Sequence, residues 1–279
     1  MKIVQPYAKI MEPELLAGAL KRIEYAARVS HRSEDETALV VAEREYLMNT
    51  GGPLSDASEE IRLAEVAKCE KFIRAVVLQH GDWSVTEHVS ASVEFLVDRG
   101  ITHEIVRHRL AAYTQESTRF VNYAKKMPPT FIYPKPDVVC PLCLAGQEPR
   151  ESTSCFREAN KPAWTHCLKP GHTQNCLYEH DWLKAIESAE QRYQSLVDRG
   201  WRPQEARSVF PNALSSKIIV TFNLRQWRHF FLMRTSKEAH PQMRQVTIPL
   251  LKEFKRLVPV LYEDIIPESR QIDNICKGQ

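Results

Sequence analysis

Arg107-His108-Arg109 and, after seven intervening residues, Ser117 open and close the stretch with the most chemistry in the chain. Two guanidiniums flanking an imidazole suit a bidentate grip on phosphate or carboxylate. The run that follows, Gln115, Glu116, Ser117, Thr118 and Arg119, can donate and accept hydrogen bonds along the polar edge of a planar heterocycle. The plainer alternative is a charged helix end and a polar loop, since clustered charge also occurs in structural networks. Two further clusters contain metal-ligating side chains. His80, Asp82, Glu87 and His88 lie close together, but their spacing fits no common closed metal site and reads better as hydrogen bonding. Cys140 and Cys143 have zinc-knuckle spacing, and Cys167 and Cys176 could complete four ligands. A second C-x-x-C pair is missing, so free thiols in a surface loop are the alternative. No glycine-rich dinucleotide or P-loop fingerprint is present.

The elements that must position these groups alternate between strands and helices. Residues 2–9 read as a first strand, and Pro13 opens a helix running to Arg28. A second helix covers Thr37 to Met48, and Asp56 with Glu59 forms a capping box for a third. Val89, Ala91, Val93, Phe95 and Val97 alternate strictly, the pattern of a half-buried strand. A short helix from Ile101 to about Leu110 then carries Arg107, His108 and Arg109 at its C-terminal end, where the helix dipole favours cations. Residues 138–177 lack periodicity and read as a Cys-rich insertion in one domain spanning 1–279. A helix from Tyr178 ends at Gly200, and Pro203 begins another that carries Arg207. Lys217 to Phe222 is a mostly apolar strand, and Asn223 caps a helix holding Arg225, His229 and Arg234. The last long helix starts at Pro241, and Pro249 is expected to kink or interrupt it.

Composition bounds the function. The 279 residues are 26% charged and 43% hydrophobic with a net charge of +3, values ordinary for a soluble globular protein. That balance argues against a nucleic-acid binder, which would show a strongly basic face. No 18-residue apolar run suggests a membrane span, and no export signal is read at the start, so a cytoplasmic protein is expected.

The spacing of Arg107-His108-Arg109 and Ser117 resembles the signature of the flavin-dependent thymidylate synthases, and further matches follow in order along the chain. They are Ala27-Arg28-Val29-Ser30, Ser84, Glu87-His88 and Arg99-Gly100, then Glu205-Ala206-Arg207, Asn223, Arg225, Arg234 and Ala239-His240-Pro241-Gln242. The resemblance covers about residues 1–130 and 178–260.

It implies an α/β (α+β) fold with a twisted, largely antiparallel sheet flanked by helices. It also implies a homotetramer with active sites shared between subunits. The implied reaction converts dUMP to dTMP with 5,10-methylenetetrahydrofolate as one-carbon donor, FAD as hydride carrier and NAD(P)H as reductant. Carried over by position, Ser84, Arg107, His108, Arg109, Gln115, Asn223, Arg225 and His229 would contact the flavin. Glu104, Arg107, Gln115, Glu116, Ser117, Thr118 and Arg119 would contact the nucleotide, with Arg207 reaching it from another subunit. Arg234 would lie against the uracil edge and activate the ring, a fixed cation at a developing anion. The chain departs from the family pattern at Ala112 (usually Ser), Thr114-Gln115 (usually Asn-Glu), Asp82 (often His), Glu104 (often Gln) and His229 (often Asn). Two other readings remain open: a related enzyme that makes a hydroxymethyl or otherwise modified deoxyuridylate, and a zinc-bearing nucleic-acid-binding module built on residues 138–177.

Overall fold

Strict alternation becomes a buried strand where it was expected. In the computed structural model Ser90–Asp98 (β3) buries Ala91, Val93, Phe95 and Val97 on one face. Its partner Ser215–Asn223 (β6) buries Ile218, Val220 and Phe222 toward the same core. The structure describes residues 1–30, 32–33, 36–50, 58–125, 127–134 and 177–267. The Cys140, Cys143, Cys167 and Cys176 knuckle and the Asp56 cap therefore lie outside the described residues.

The remaining strands are Lys2–Val4 (β1), Tyr7–Ile10 (β2), Ala112–Gln115 (β4) and Thr130–Ile132 (β5). The helices are Ala19–Val29 (α1), Ala38–Thr50 (α2), Ser58–Ile73 (α3), Arg99–Ile105 (α4), Leu177–Asp198 (α5), Pro203–Ala206 (α6), Leu224–Arg234 (α7), Pro241–Leu257 (α8) and Pro259–Tyr262 (α9). Four strands form an antiparallel sheet in the order β2-β3-β6-β4. Strands β1 and β5 pair in parallel as a second, two-stranded sheet. This is the mixed fold with an antiparallel sheet and flanking helices that was expected.

One face of the large sheet supports α7 and α8. Trp227, Phe230, Phe231, Phe254 and Tyr262 pack there in a continuous aromatic cluster, all fully buried. Rings of this size contribute much of the apolar area a core removes from water. Trp227 also donates its indole N–H to the Ala91 carbonyl at 3.0 Å, tying α7 to β3. A second cluster of Tyr123, Phe131, Tyr193 and Phe210 holds α5 against the β5 side of the molecule.

Several local expectations change. The first strand divides into β1 and β2, which join different sheets on either side of Gln5-Pro6; proline cannot donate to a ladder. The Pro13 segment forms a 3₁₀ turn, Pro13–Leu16, before α1 begins. Pro249 does not interrupt α8, which runs unbroken from Pro241 to Leu257. Pro249 is exposed, while Val246, Leu250, Leu251 and Phe254 are buried. Burying those four side chains outweighs the roughly 3 kcal/mol that an internal proline costs. Gly200, at φ 93°, ends the α5 segment in the left-handed region that glycine tolerates.

Candidate functional site

The helix that carries the two arginines is shorter than its sequence suggests. α4 starts where Asp98 caps it, Oδ1 accepting from the Ile101 N–H at 2.7 Å, and it ends at Ile105. Arg107, His108 and Arg109 therefore sit in a bend after the helix rather than on its last turn. Tertiary contacts fix this bend. Tyr113, on β4, directs its phenol hydroxyl at the Ile105 carbonyl (3.0 Å) and at the His108 carbonyl. Burial pushes the Tyr113 phenol up to about 12, so it remains a donor at neutral pH. The result turns His108 inward, buried against Phe222 and Phe230, and leaves Arg107 and Arg109 exposed. Neither arginine side chain has an ion-pair partner among the described residues.

His108 meets a residue far away in sequence. Arg234, at the end of α7, donates from Nε to His108 Nε2 at 3.1 Å. It also donates from Nη1 to Glu104 Oε2 at 2.7 Å and from Nη2 to the Glu104 carbonyl at 3.1 Å. Donors approach both ring nitrogens, Arg234 Nε at Nε2 and the buried Gln226 side-chain nitrogen at Nδ1, 3.4 Å away, and the neutral imidazole accepts from one of them at a time. Burial first, then the Arg234 guanidinium and His229, push the His108 imidazole down to about 4. It is a neutral acceptor at physiological pH. The His229 ring is 5.7 Å from that of His108, measured between centroids, and its side chain is exposed.

Helix α8 secures Arg234 from behind. The fully buried Thr247 hydroxyl lies 2.8 Å from the Arg234 carbonyl and 3.0 Å from that of Met243. Arg244 donates to the carbonyls of Thr235 and Ser236, at and just past the C-terminal cap of α7.

The polar run is part strand, part turn. Gln115, the last residue of β4, donates to Thr102 Oγ1 and Ser216 Oγ, both at 3.0 Å. Its amide is therefore engaged inside the fold, between α4 and β6. Glu116 Oε2 accepts from the Lys217 N–H at 3.4 Å. Ser117 Oγ accepts from the Arg119 N–H at 3.3 Å, and Arg119 itself is exposed. Thr118 is buried and accepts from Arg207 Nη1. Arg207, expected to serve the site of another subunit, thus also braces this loop within its own chain.

The third group lies at the start of α7. Asn223 caps that helix, Oδ1 accepting from the Gln226 N–H at 2.8 Å. Arg225 pairs with Glu87 at 2.6 Å. Glu87 belongs to the 3₁₀ turn Trp83–His88, where Ser84 is exposed. Register explains the proximity: Ser90 faces Asn223 across β3 and β6, so whatever precedes β3 adjoins whatever follows β6. Among the described residues no group of three or more His, Cys, Asp or Glu could hold a metal ion. His80, Asp82, Glu87 and His88 do not converge into such a group.

Sequence reasoning missed Tyr113, Gln226, Thr247 and Arg244. Tyr113 had one available signal, an aromatic residue directly after the apolar Ala111-Ala112. The other three look like ordinary helix residues until the helices are packed.

The arrangement is a half-buried donor network, His108–Arg234–Glu104, beside exposed cations suited to phosphate. Comparisons with known proteins give the family. The family model described as thymidylate synthase complementing protein matches residues 14–260. A flavin-dependent thymidylate synthase from Corynebacterium efficiens is 29% identical over 204 residues, covering 72% of this chain and 70% of that protein. One from Mycobacteroides abscessus is 31% identical over 196 residues, covering 70% and 69%. One from Geobacter sulfurreducens is 27% identical over 242 residues, covering 86% of each. Among solved structures, the chain is similar to the UMP/dUMP methylase PolB from Streptomyces cacaoi, bound with 5-Br dUMP. The TM-score is 0.57 and the identity 21%, covering 94% of this chain and 96% of that one. At that identity the likeness concerns the fold.

Proposed function

The chain belongs to the thymidylate synthase complementing protein family, and on that premise we propose that it is a flavin-dependent thymidylate synthase that methylates dUMP to dTMP. The observation that carries the site assignment is the three-way contact of Arg234 with His108 and Glu104 beside Arg107 and Arg109, which are exposed and have no ion-pair partner among the described residues.

The donor set fits a flavin dinucleotide. Exposed guanidiniums at Arg107, Arg109 and Arg225 suit its phosphates, and Ser84 and Asn223 add polar groups along the same edge of the sheet. FAD would supply hydride transfer, with NAD(P)H as its reductant and 5,10-methylenetetrahydrofolate as the one-carbon source. The protein's own part is to bind and to polarise. Ser117, Thr118 and Arg119 offer hydroxyl and guanidinium donors for the nucleotide phosphate and sugar, with Arg207 keeping Thr118 in place. Glu104 and Arg234 form the wall for the pyrimidine. Arg234 stabilises negative charge that develops on the ring carbonyls, and neutral His108 holds the guanidinium plane without adding a competing cation. No serine or cysteine nucleophile is assigned. Among the described residues Ser117 has no base hydrogen-bonded to it, and Cys69 is buried with its thiol pushed up by burial.

We assign a homotetramer. Val106, Leu110, Leu232 and Met233, on the bend and on α7, are exposed apolar side chains around the site, Leu110 at 73%. Covering them with further subunits would complete the binding surface.

The test is direct. Purified protein should be yellow and should elute at four times the 32.2 kDa chain mass. It should release the C5 hydrogen of dUMP when given methylenetetrahydrofolate and reduced nicotinamide, with a product of dTMP mass. Colourless protein that cannot be reconstituted with FAD refutes the proposal, and a heavier, hydroxylated product redirects it to the modified nucleotide.

A further inference from the structure

We propose that Arg228 is a positioning residue for the flavin edge of the site, stacked on Trp83 so that the Trp83–His88 turn keeps Ser84 beside the start of α7. The inference rests on the reading above, that Ser84, Asn223 and Arg225 face a flavin.

Helix α7 grips that turn at both of its ends. Arg225 pairs with Glu87 near the end of the turn. Arg228, three residues later on the neighbouring surface of the helix, places its guanidinium carbon 4.5 Å from the centre of the Trp83 ring at the start of the turn. The two grips differ in kind. The Arg225 and Glu87 side chains are 53% and 43% exposed, and an exposed ion pair holds little. Arg225 is also one of the cations offered to the flavin phosphates, so a bound cofactor competes with Glu87 for it. The Arg228 side chain is only 15% exposed. A cation over an indole face, partly removed from water, is the firmer attachment.

Arg228 can lie on the ring because its edge is satisfied elsewhere. Nη1 donates to the Leu261 carbonyl and to Asp264 Oδ1, both at 2.7 Å, and Nη2 donates to Asp264 Oδ2. This is the two-pronged carboxylate geometry that a lysine cannot reproduce. The segment that supplies Asp264 is itself pinned. Tyr262 is fully buried and donates its hydroxyl to the Leu224 carbonyl at 3.0 Å, and Ile265 is buried. Glu263 pairs with Arg74 on the π-helical turn Arg74–Gln79. Leu261, Glu263 and Asp264 lie just past residue 260, where the family match ends. The support of the flavin edge thus comes from a part of the chain to which the resemblance gives no role.

The test measures FAD binding to protein stripped of flavin, by fluorescence quenching, and dUMP binding to flavin-saturated protein, by calorimetry. Arg228→Lys keeps a charge near Asp264 but loses the stacked plane. It should raise the FAD dissociation constant about two- to thirtyfold, a cation–π contact of about 0.5–2 kcal/mol converted at about 1.4 kcal/mol per tenfold. Its dUMP affinity should be unchanged once flavin is saturating, because Arg234 is anchored separately by Thr247 and Glu104. Trp83→Leu should weaken FAD similarly, and Trp83→Phe, which keeps an aromatic face, should recover most of the loss. Arg228→Lys added to Trp83→Leu should cost nothing further, since residues acting through one contact are not additive. Arg74→Ala cuts an exposed pair without touching Arg228 and should leave FAD binding unchanged. Thermal melts report the folding of every variant. An Arg228→Lys protein that melts earlier yet binds FAD as wild type does would overturn the proposal, making the stack merely structural. So would an equal loss of dUMP affinity, additive losses in the double variant, Trp83→Phe no better than Trp83→Leu, or Arg74→Ala as damaging as Arg228→Lys. A wild type that binds no FAD overturns the parent reading, and this one with it.

Discussion

Acidification should unlock the network at His108, and the structure sets the size of the effect. In the unfolded chain an imidazole titrates near 6.5, whereas burial and Arg234 hold that of His108 down to about 4. Between those values the unfolded state binds a proton that the folded state refuses, so stability is full above about pH 6.5 and falls as the pH drops toward 4. The whole shift of about 2.5 units corresponds to about 3 kcal/mol, of which about 2 kcal/mol is already lost at pH 5. His108→Asn removes this titration while leaving every other group in place. Thermal melts of both proteins at pH 7.5 and pH 5 isolate the contribution, because carboxylate effects cancel in the difference. At roughly 2–4 °C per kcal/mol for a chain of this size, wild type should lose about 4–8 °C more than the variant. If the two lose the same amount, His108 is not a buried neutral acceptor, and its contact with Arg234 Nε is wrongly assigned.

Four further outcomes follow from named contacts. Tyr113→Phe removes the hydroxyl that bridges Ile105 and His108; it should cost about 1 kcal/mol and raise the FAD dissociation constant by fluorescence titration. An unchanged constant would separate the Arg107–Arg109 bend from the cofactor. Thr247→Val leaves the Arg234 carbonyl without its 2.8 Å partner and should lower stability by about 1–3 kcal/mol, measured by urea unfolding, with a parallel fall in dUMP affinity. Trp227→Ala, in a fully buried ring that also bonds the Ala91 carbonyl, should cost at least 3–5 kcal/mol. It should yield little soluble protein, whereas Arg225→Ala at the exposed pair with Glu87 should change stability by under about 1 kcal/mol.

The sequence carried the parts of this protein whose cause is local. The period-two run from Val89 to Val97, the apolar run in β6, the cap at Asn223 and the glycine stop at Gly200 are each decided within a few residues, and each appears as expected. The ordered set of arginines, histidine and serine carried the family for a similar reason: a chemical requirement for fixed residue types leaves them in the chain at recognisable spacing. The early end of α4 was not legible, because the Tyr113 hydroxyl and the apolar rings around His108 turn the bend inward. Pro249 forbids a helix locally and is overruled by the apolar face that α8 buries. Nothing near Arg107 says that its neighbour His108 will face Arg234, 126 positions after that histidine. Their contact exists because β4 pairs with β6, which brings the α4 bend beside α7. Sequence determined which groups are available; the sheet register and the packing of α7 and α8 decided which of them meet. Hydrogen bonds act over about 3 Å, and only the tertiary fold brings distant residues that close.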